Sequence, residues 1–408
     1  MMFKLAFRNT LRNKRRTVIT AISIFIAIFV ILFSMSFLYS TIDKMKENEK
    51  LYSTGDIRIR TKKYSDYETL MPLQFYIRDF DSIKNAILQL DGVGKVEAST
   101  RVMASLYKNG ELDTVSVIGA DNSSVFFSLD NMTINNGKIA KDGRKEIMAT
   151  PRFLSENNLS VGDFVTVVFK TAQGGTNAST FEIVASVSYS NAEYNSSMII
   201  VPETTLCHIL NMDNETLEAF IWLDEDADLE IVQDEVLSLL KGDGIEVKNW
   251  KEISNIYPIL PLYDAMIGIL VVLFFFIAST LVFNTLLMSV LERKREIGTM
   301  VSLGFSRFYV SALFVIEGFI IALFGSILGV SVSKIFISFF KRHGFDLTLF
   351  GASAVQGWNF PNIIYLDLSA SRYFWVVLIE LVVSVLASVL AVQRIRKLEV
   401  ASTLREDE

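Results

Sequence analysis

The sequence is poor in several things, and each shortage excludes something. Among its 408 residues there is one cysteine, Cys207, so no disulfide can form within the chain. That argues against a disulfide-stapled secreted domain. The two histidines, His208 and His343, are too few and too isolated to build a metal cluster. The many Asp and Glu residues form no local metal-ligand pattern. No G-x-x-x-x-G-K-[ST] occurs: Gly137-Lys138 is followed by Ile139, and Gly94-Lys95 by Val96, so no P-loop cradles a nucleotide. G-x-S-x-G, H-E-x-x-H and C-x-x-C are also absent. Basic excess is missing too. The net charge is −6, which gives no footprint for nucleic acid.

What is abundant is apolar sequence: 51% of residues are hydrophobic and the mean hydropathy is +0.37. The apolar residues gather in long runs, and a membrane span needs about 20 of them. Val18–Tyr39 and Ala265–Leu291 carry no charge; Phe308–Ser333 carries only Glu317 and Tyr373–Val392 only Glu380. The reading is four transmembrane helices. The first run is longer than a signal peptide's apolar core and no A-x-A site follows it, so it reads as an uncleaved anchor. Lys4, Arg8, Arg12, Lys14, Arg15 and Arg16 precede it without an acid. Arg293, Lys294, Arg295 and Arg307 lie between the second and third runs, and Arg394, Arg396, Lys397 and Arg405 follow the fourth. The positive-inside rule therefore predicts both termini and segment 292–307 in the cytoplasm.

The predicted organisation is a basic N-terminus (1–17) and a first span with a stalk (18–51). An extracytoplasmic α+β domain (52–261) comes next, then a second span (262–291) and a cytoplasmic helix (292–307). A third span (308–333), an outer loop (334–372), a fourth span (373–392) and a tail (393–408) complete it. No Pro or Gly interrupts Val18–Tyr52, so the first helix is expected to run past the bilayer with Leu38, Ile42 and Met45 on one stripe. Pro258 and Pro261 predict a kink where the second span begins.

Within the large domain two stretches, about 56–100 and 218–250, share a strand–helix–strand pattern. Ile83, Ile87 and Leu90 mark the first helix face, and Leu229, Val232, Val236 and Leu240 the second. Such paired units resemble a split ferredoxin-like fold. The stretch between them, about 104–205, reads as a β-rich insertion through Thr114–Ile118, Asp163–Phe169, Phe181–Val187 and Met198–Val201. Gly174-Gly175 predicts a hairpin turn, and Asn191–Ser197 an exposed loop.

The segment between the second and third runs is the most telling. It reads Glu292-Arg293-Lys294-Arg295-Glu296-Ile297-Gly298 and continues to Leu303-Gly304, with Ile297, Met300 and Val301 at helical spacing. An amphipathic helix under the bilayer could dock in a partner's groove or serve as a basic connector at lipid headgroups. Glu317 lies well inside the third span. An acid there is a proton-relay candidate, although a structural hydrogen bond within the bundle is the favoured reading. Glu380 is read in the same way. Gly325-x-x-x-Gly329 allows close helix packing, within the bundle or between subunits. Phe25, Phe29, Phe33 and Phe37 recur every four residues. They either pack or, with Met266 and Ile269 on the second span, line an apolar substrate cavity.

Asn284-Thr-Leu-Leu-Met-Ser-Val-Leu-Glu-Arg-Lys-Arg-Glu-Ile-Gly298, through Leu303-Gly304, resembles the coupling-helix signature of the FtsX, macrolide-exporter and lipoprotein-releasing permeases of ABC systems. Glu317-Gly318, Gly325-x-x-x-Gly329, Leu5-Ala-Phe-Arg-Asn9 to Arg15-Arg16, and Leu159-Ser-Val-Gly-Asp163 are similar to that family as well. The tail Val400-Ala-Ser-Thr-Leu404-Arg405 lacks the family's usual proline. The resemblance implies an inner-membrane permease with no ATPase or cofactor of its own. ATP and magnesium would sit on two separate ABC ATPase subunits. Glu292, Arg293, Arg295, Glu296, Ile297, Gly298, Leu303 and Gly304 would form the docking helix. A second permease, the same or homologous, and a periplasmic carrier or adaptor are the other implied partners. The implied substrate is a lipoprotein or amphipathic molecule, with macrolide or peptide efflux and regulation of an external hydrolase as alternatives.

Overall fold

The structure is a computed structural model that describes residues 2–12, 14–108, 110–121, 124, 132–189, 193–242, 244–254, 256–347 and 363–396. The expected tail motif, and part of the 191–197 loop, lie outside these residues. The chain forms two compact units. One contains Met1–Ile42, Leu260–Phe345 and Ile364–Glu408, the other Asp43–Ile259 and Asp346–Ile363.

Helices α1 (Met2–Arg12) and α2 (Lys14–Glu49) open the chain. The intervening domain then runs through β1 (Ile57–Thr61), α3 (Lys62–Asp66), α4 (Phe80–Ile87), β2 (Val93–Lys108) and β3 (Glu111–Ala120). Next come β4 (Met132–Gly137), β5 (Glu146–Ala149), α5 (Pro151–Asn157), β6 (Phe164–Lys170), β7 (Thr176–Tyr189) and β8 (Met198–Pro202). It closes with α6 (Glu203–Ile209), β9 (Glu218–Leu223), α7 (Leu229–Leu239), β10 (Ile245–Asn249) and α8 (Trp250–Ile253).

Strands β10, β1, β9 and β2 lie side by side in that order, all neighbours antiparallel, which is the ferredoxin-like arrangement. Ile57, Ile59, Ala219, Ile221 and Val247 on the sheet meet Ile87 of α4 and Val232 and Val236 of α7 in one core. The opposite side of β1 carries Arg58 and Arg60, both only 5% exposed. Alternation alone would send them to solvent, but Glu68, Glu218 and Glu246 meet them there: Arg60 Nη1 lies 2.7 Å from Glu68, and Arg58 Nη1 3.6 Å from Glu218.

The first half of the long β2 belongs to that sheet, and the second half turns into another. There β2 pairs β3, β3 pairs β8, β8 pairs β5, β5 pairs β7, β7 pairs β6, and β6 returns to β2. The β-rich insertion is thus a closed six-stranded barrel. Closure removes the exposed edges that an open sheet would present. Val102, Leu106, Val117, Ile147, Val167, Phe181 and Ile199 fill its core. Gly174 takes φ +83° in the turn joining β6 to β7.

A capping box starts α8: Asn249 Oδ1 accepts from Lys251 and Glu252 backbone N–H groups, and Glu252 Oε2 accepts from Asn249 N. Asn249 also donates to Gln233 Oε1 at 2.6 Å, tying α8 to α7. Asn249→Ala should lower domain stability by about 1 kcal/mol, read from the denaturation midpoint.

The membrane unit adds α9 (Leu260–Glu292), α10 (Lys294–Ser302), α11 (Arg307–His343) and α12 (Ala370–Arg396). Among the described residues, four helices are long and apolar enough to cross a membrane. Two details depart from expectation. Pro258 sits in a 3₁₀ turn and Pro261 in the first turn of α9, so they start that helix instead of kinking it. Helix α11 continues past Ser333 to His343, because nothing breaks it before Gly344. Lys341, Arg342 and His343 favour its negative C-terminal end.

Candidate functional site

At the junction of α9 and α10 the backbone of Arg293 leaves helical geometry (φ −100°, ψ 20°), so the two helices meet at an angle. The C-terminal end of α10 follows from its glycine. Gly304 N donates to Val301 O at 3.1 Å and Phe305 N to Met300 O at 3.1 Å. That pattern requires a left-handed residue between them, and Gly304 takes φ +91°. Ser306 then caps α11 by accepting from Tyr309 N at 3.1 Å.

Arg293 is the hub. Its Nε donates to Glu296 Oε2 at 2.8 Å and its Nη1 to Glu317 Oε2 at 3.4 Å. Its guanidinium lies 5.2 Å from the Phe314 ring centre. One planar donor fork thus joins α9, α10 and α11. Glu296 also meets Arg12 of α1 at 3.3 Å, a largely exposed pair that adds little. The Arg293 hydrogen bond holds the Glu296 carboxyl below the usual glutamate range. Around the hub, Val290, Ile297, Val310, Phe314 and Val392 form a small core.

The expected docking residues therefore divide. Glu292, Arg295, Leu303 and Gly304 are exposed, whereas Ile297 and Gly298 are buried and Arg293 and Glu296 face neighbouring helices. The outward tip is apolar. Leu303 is 74%, Phe305 45% and Phe308 72% exposed. Phe305 and Phe308 escaped the sequence reading because Phe308 counts naturally as the first residue of a span.

The expected cavity residues are placed differently. Phe29 and Phe33 pack edge-on against Phe336 of α11 at 5.5 and 5.6 Å, and Phe37 against Phe345 at 5.9 Å. The stripe is thus filled from its own unit, by α11 and by Phe345 just beyond it. Met266 and Ile269 lie on an exposed face of α9. Gly325 and Gly329 let α11 approach α2: a Cβ at Gly325 would lie 2.9 Å from Ala21 O, and one at Gly329 2.8 Å from Ile28 Cγ2. Glu380, fully buried, accepts from Ser384 Oγ at 2.8 Å. Helix α1, expected only as a basic leader, packs Ala6 against Leu313 and Ile320.

Four membrane helices with a large α/β domain between the first and second define a class of polytopic permease. The model of the FtsX-like permease C-terminal domain matches residues 268–400, and that of the MacB-like periplasmic core domain matches 17–239. The chain belongs to the FtsX/MacB-type ABC permease family. Such a protein is an inner-membrane, multi-pass subunit with an extracellular domain. The periplasmic region of MacB from Actinobacillus actinomycetemcomitans is similar at 14% identity, covering 52% of this chain and 95% of that one, with a TM-score of 0.38. The extracellular domain of the noncanonic ABC-type transporter YknZ from Gram-positive bacteria is similar at 16% identity, covering 47% and 99%, with a TM-score of 0.35. No curated protein matches the chain at a significant level.

Proposed function

We propose that this chain is the permease subunit of an ATP-driven mechanotransmission transporter. Two separate ABC ATPases hold the ATP and magnesium and dock on the tip formed by Leu303, Phe305 and Phe308. A second permease, the same or homologous, completes the membrane part. Both termini are cytoplasmic, in keeping with the basic residues of segment 292–307. The observation that carries this reading is the Arg293 fork, which ties α10 to α9 and α11, so that a push on the exposed tip moves spans. The substrate is amphipathic and handled on the outer side of the membrane. Lipoprotein extraction toward a carrier is one form of that work. Peptide or macrolide export through an adaptor is the second reading, favoured by the MacB-like core match and by the packed phenylalanine stripe.

A photo-crosslinking residue at Phe308 should capture a nucleotide-binding subunit in native membranes, and one at Ile269 should not. With the partner reconstituted in vesicles, Glu296→Lys should reduce transport about tenfold while ATP turnover continues, because a like charge beside Arg293 loosens the fork. No captured ATPase, or full transport by the variant, would overturn the proposal.

A further inference from the structure

Helix α1 has no part in the ATP-coupling reading beyond one exposed ion pair. Its Ala6 is fully buried against Leu313, Ile316 and Ile320 of α11. Phe7 meets Phe324 of the same helix, with ring centres 6.4 Å apart. Thr17 Oγ1 donates to Thr10 O at 2.8 Å, so the last turn of α1 is tied to the first turn of α2. The depth of that tie can be read from α2. Lys14 and Arg15 are exposed, and one turn later the exposed residues are Val18, Ile19 and Ile22. The change from cations to bare aliphatic chains marks where α2 enters hydrocarbon. Helix α1 therefore lies at the bilayer surface, along the flank of a span.

The sides of α1 differ in kind. Ala6 faces α11. Phe3 and Phe7, four residues apart on one side, are 57% and 42% exposed. Arg8 and Arg12, also four apart, are exposed on a further side. A charged side beside a bare aromatic one suits a helix lying in the headgroup layer, with its rings at the acyl boundary. Charge then decides which headgroup it meets. No acid precedes Asp43 in the sequence. Arg8, Lys14 and Arg15 form no ion pair with a described residue. Arg12 meets Glu296 at 3.3 Å, but Arg293 holds that carboxylate more closely, at 2.8 Å. The elbow of α1 and α2 is thus a net cationic patch next to apolar rings. A zwitterionic headgroup brings it no net charge, whereas an acidic one brings a phosphate that guanidinium and ammonium groups can share. A soluble phosphate would meet the cations and leave the rings bare.

We propose that the elbow of α1 and α2 binds acidic phospholipid, with Arg8, Lys14 and Arg15 as the cations and Phe3 and Phe7 against the acyl chains. The Arg12–Glu296 contact places the bound lipid beside α10. The full chain, without any ATPase, is titrated in uncharged micelles with dioleoyl-phosphatidylglycerol or dioleoyl-phosphatidylcholine, and bound lipid is counted by native mass spectrometry. The acidic lipid should bind at least about tenfold more tightly, and the preference should shrink as salt is raised. Arg8→Gln, Lys14→Gln and Arg15→Gln should each cut the preference about fivefold, and together they should abolish it. Lys62→Gln, Lys63→Gln and Lys241→Gln combined, the same charge change on the extracytoplasmic domain, should leave it intact. Phe3→Ser with Phe7→Ser should weaken both lipids alike, severalfold. Glycerol phosphate, the soluble headgroup, should not displace the lipid at equal concentration. Equal binding of the two lipids by the unaltered chain, a preference that survives the triple substitution at the elbow, or displacement by glycerol phosphate would overturn the assignment. The salt dependence is read on the unaltered chain, so a preference indifferent to salt overturns it even where a variant does not fold. With no ATPase present, this result and the ATPase capture at Phe308 stand or fall separately.

Discussion

Arg293→Ala should destabilise the membrane unit by about 3 kcal/mol, the cost of removing one partner of a buried ion pair. The Arg293 side chain is 13% exposed and that of Glu317 only 6%, so solvent does little to replace the lost charge. The same substitution removes the Glu296 bond and the contact with Phe314. Arg293→Lys should not restore stability, because an ammonium cannot span Glu296 and Glu317 with one planar fork. Arg293→Met combined with Glu317→Met should recover most of the loss, since two apolar chains of similar volume remove both buried charges together. Unfolding in mixed micelles, measured for the two single variants and the double, gives the coupling directly. A loss below about 1 kcal/mol in Arg293→Ala would mean the pair behaves as a surface ion pair and does not pin α10. The functional consequence goes with the structural one: an unpinned α10 should still end at the exposed Leu303, but a push there should no longer pass through the fork to α9 and α11.

The parts of this site that were legible in the sequence are those set by local chemistry. Long uncharged runs have one physical outcome in a bilayer, so the spans could be read. The Leu229, Val232, Val236 stripe could be read because one helix face must be buried, and these residues do lie on the ferredoxin-like sheet. What escaped depends on partners far along the chain. Glu296 reads as an outward docking charge until Arg293 and Arg12 are seen to face it. Spacing cannot decide whether Phe29 and Phe33 line a cavity or pack, because the deciding residue, Phe336, sits on another helix. Arg58 and Arg60 read as solvent-facing by alternation and are buried because three acids come from elsewhere in the fold. Barrel closure likewise rests on the pairing of β6 with β2, which no local pattern announces.

Gly329→Leu is the other substitution with a large expected effect, for the opposite reason: it adds volume instead of removing charge. The β-carbon alone would lie 2.8 Å from Ile28 Cγ2 and 2.9 Å from Ile28 Cβ, closer than real side chains approach, and a tight 3.2 Å from Phe25 O. The facing atoms are a β-branched side chain and backbone, neither of which can swing aside. Helices in lipid gain little from hydrophobic burial and depend on close packing, so parting α2 from α11 forfeits most of what holds them together. Overpacking of this kind costs about 1–3 kcal/mol per site, and Gly325→Leu one turn away should add a similar amount. Gly268→Leu is the control: it lies on α9, where an added Cβ meets nothing within 4 Å, and it should leave stability unchanged. Separation should also loosen the rings of Phe29 and Phe33 from Phe336, so a cysteine pair replacing Phe29 and Phe336, whose rings lie 5.5 Å apart, should cross-link more slowly in the Gly329→Leu background. Matching unfolding midpoints and cross-linking rates for Gly329→Leu and Gly268→Leu would show that the small residues of α11 are not what sets its distance from α2.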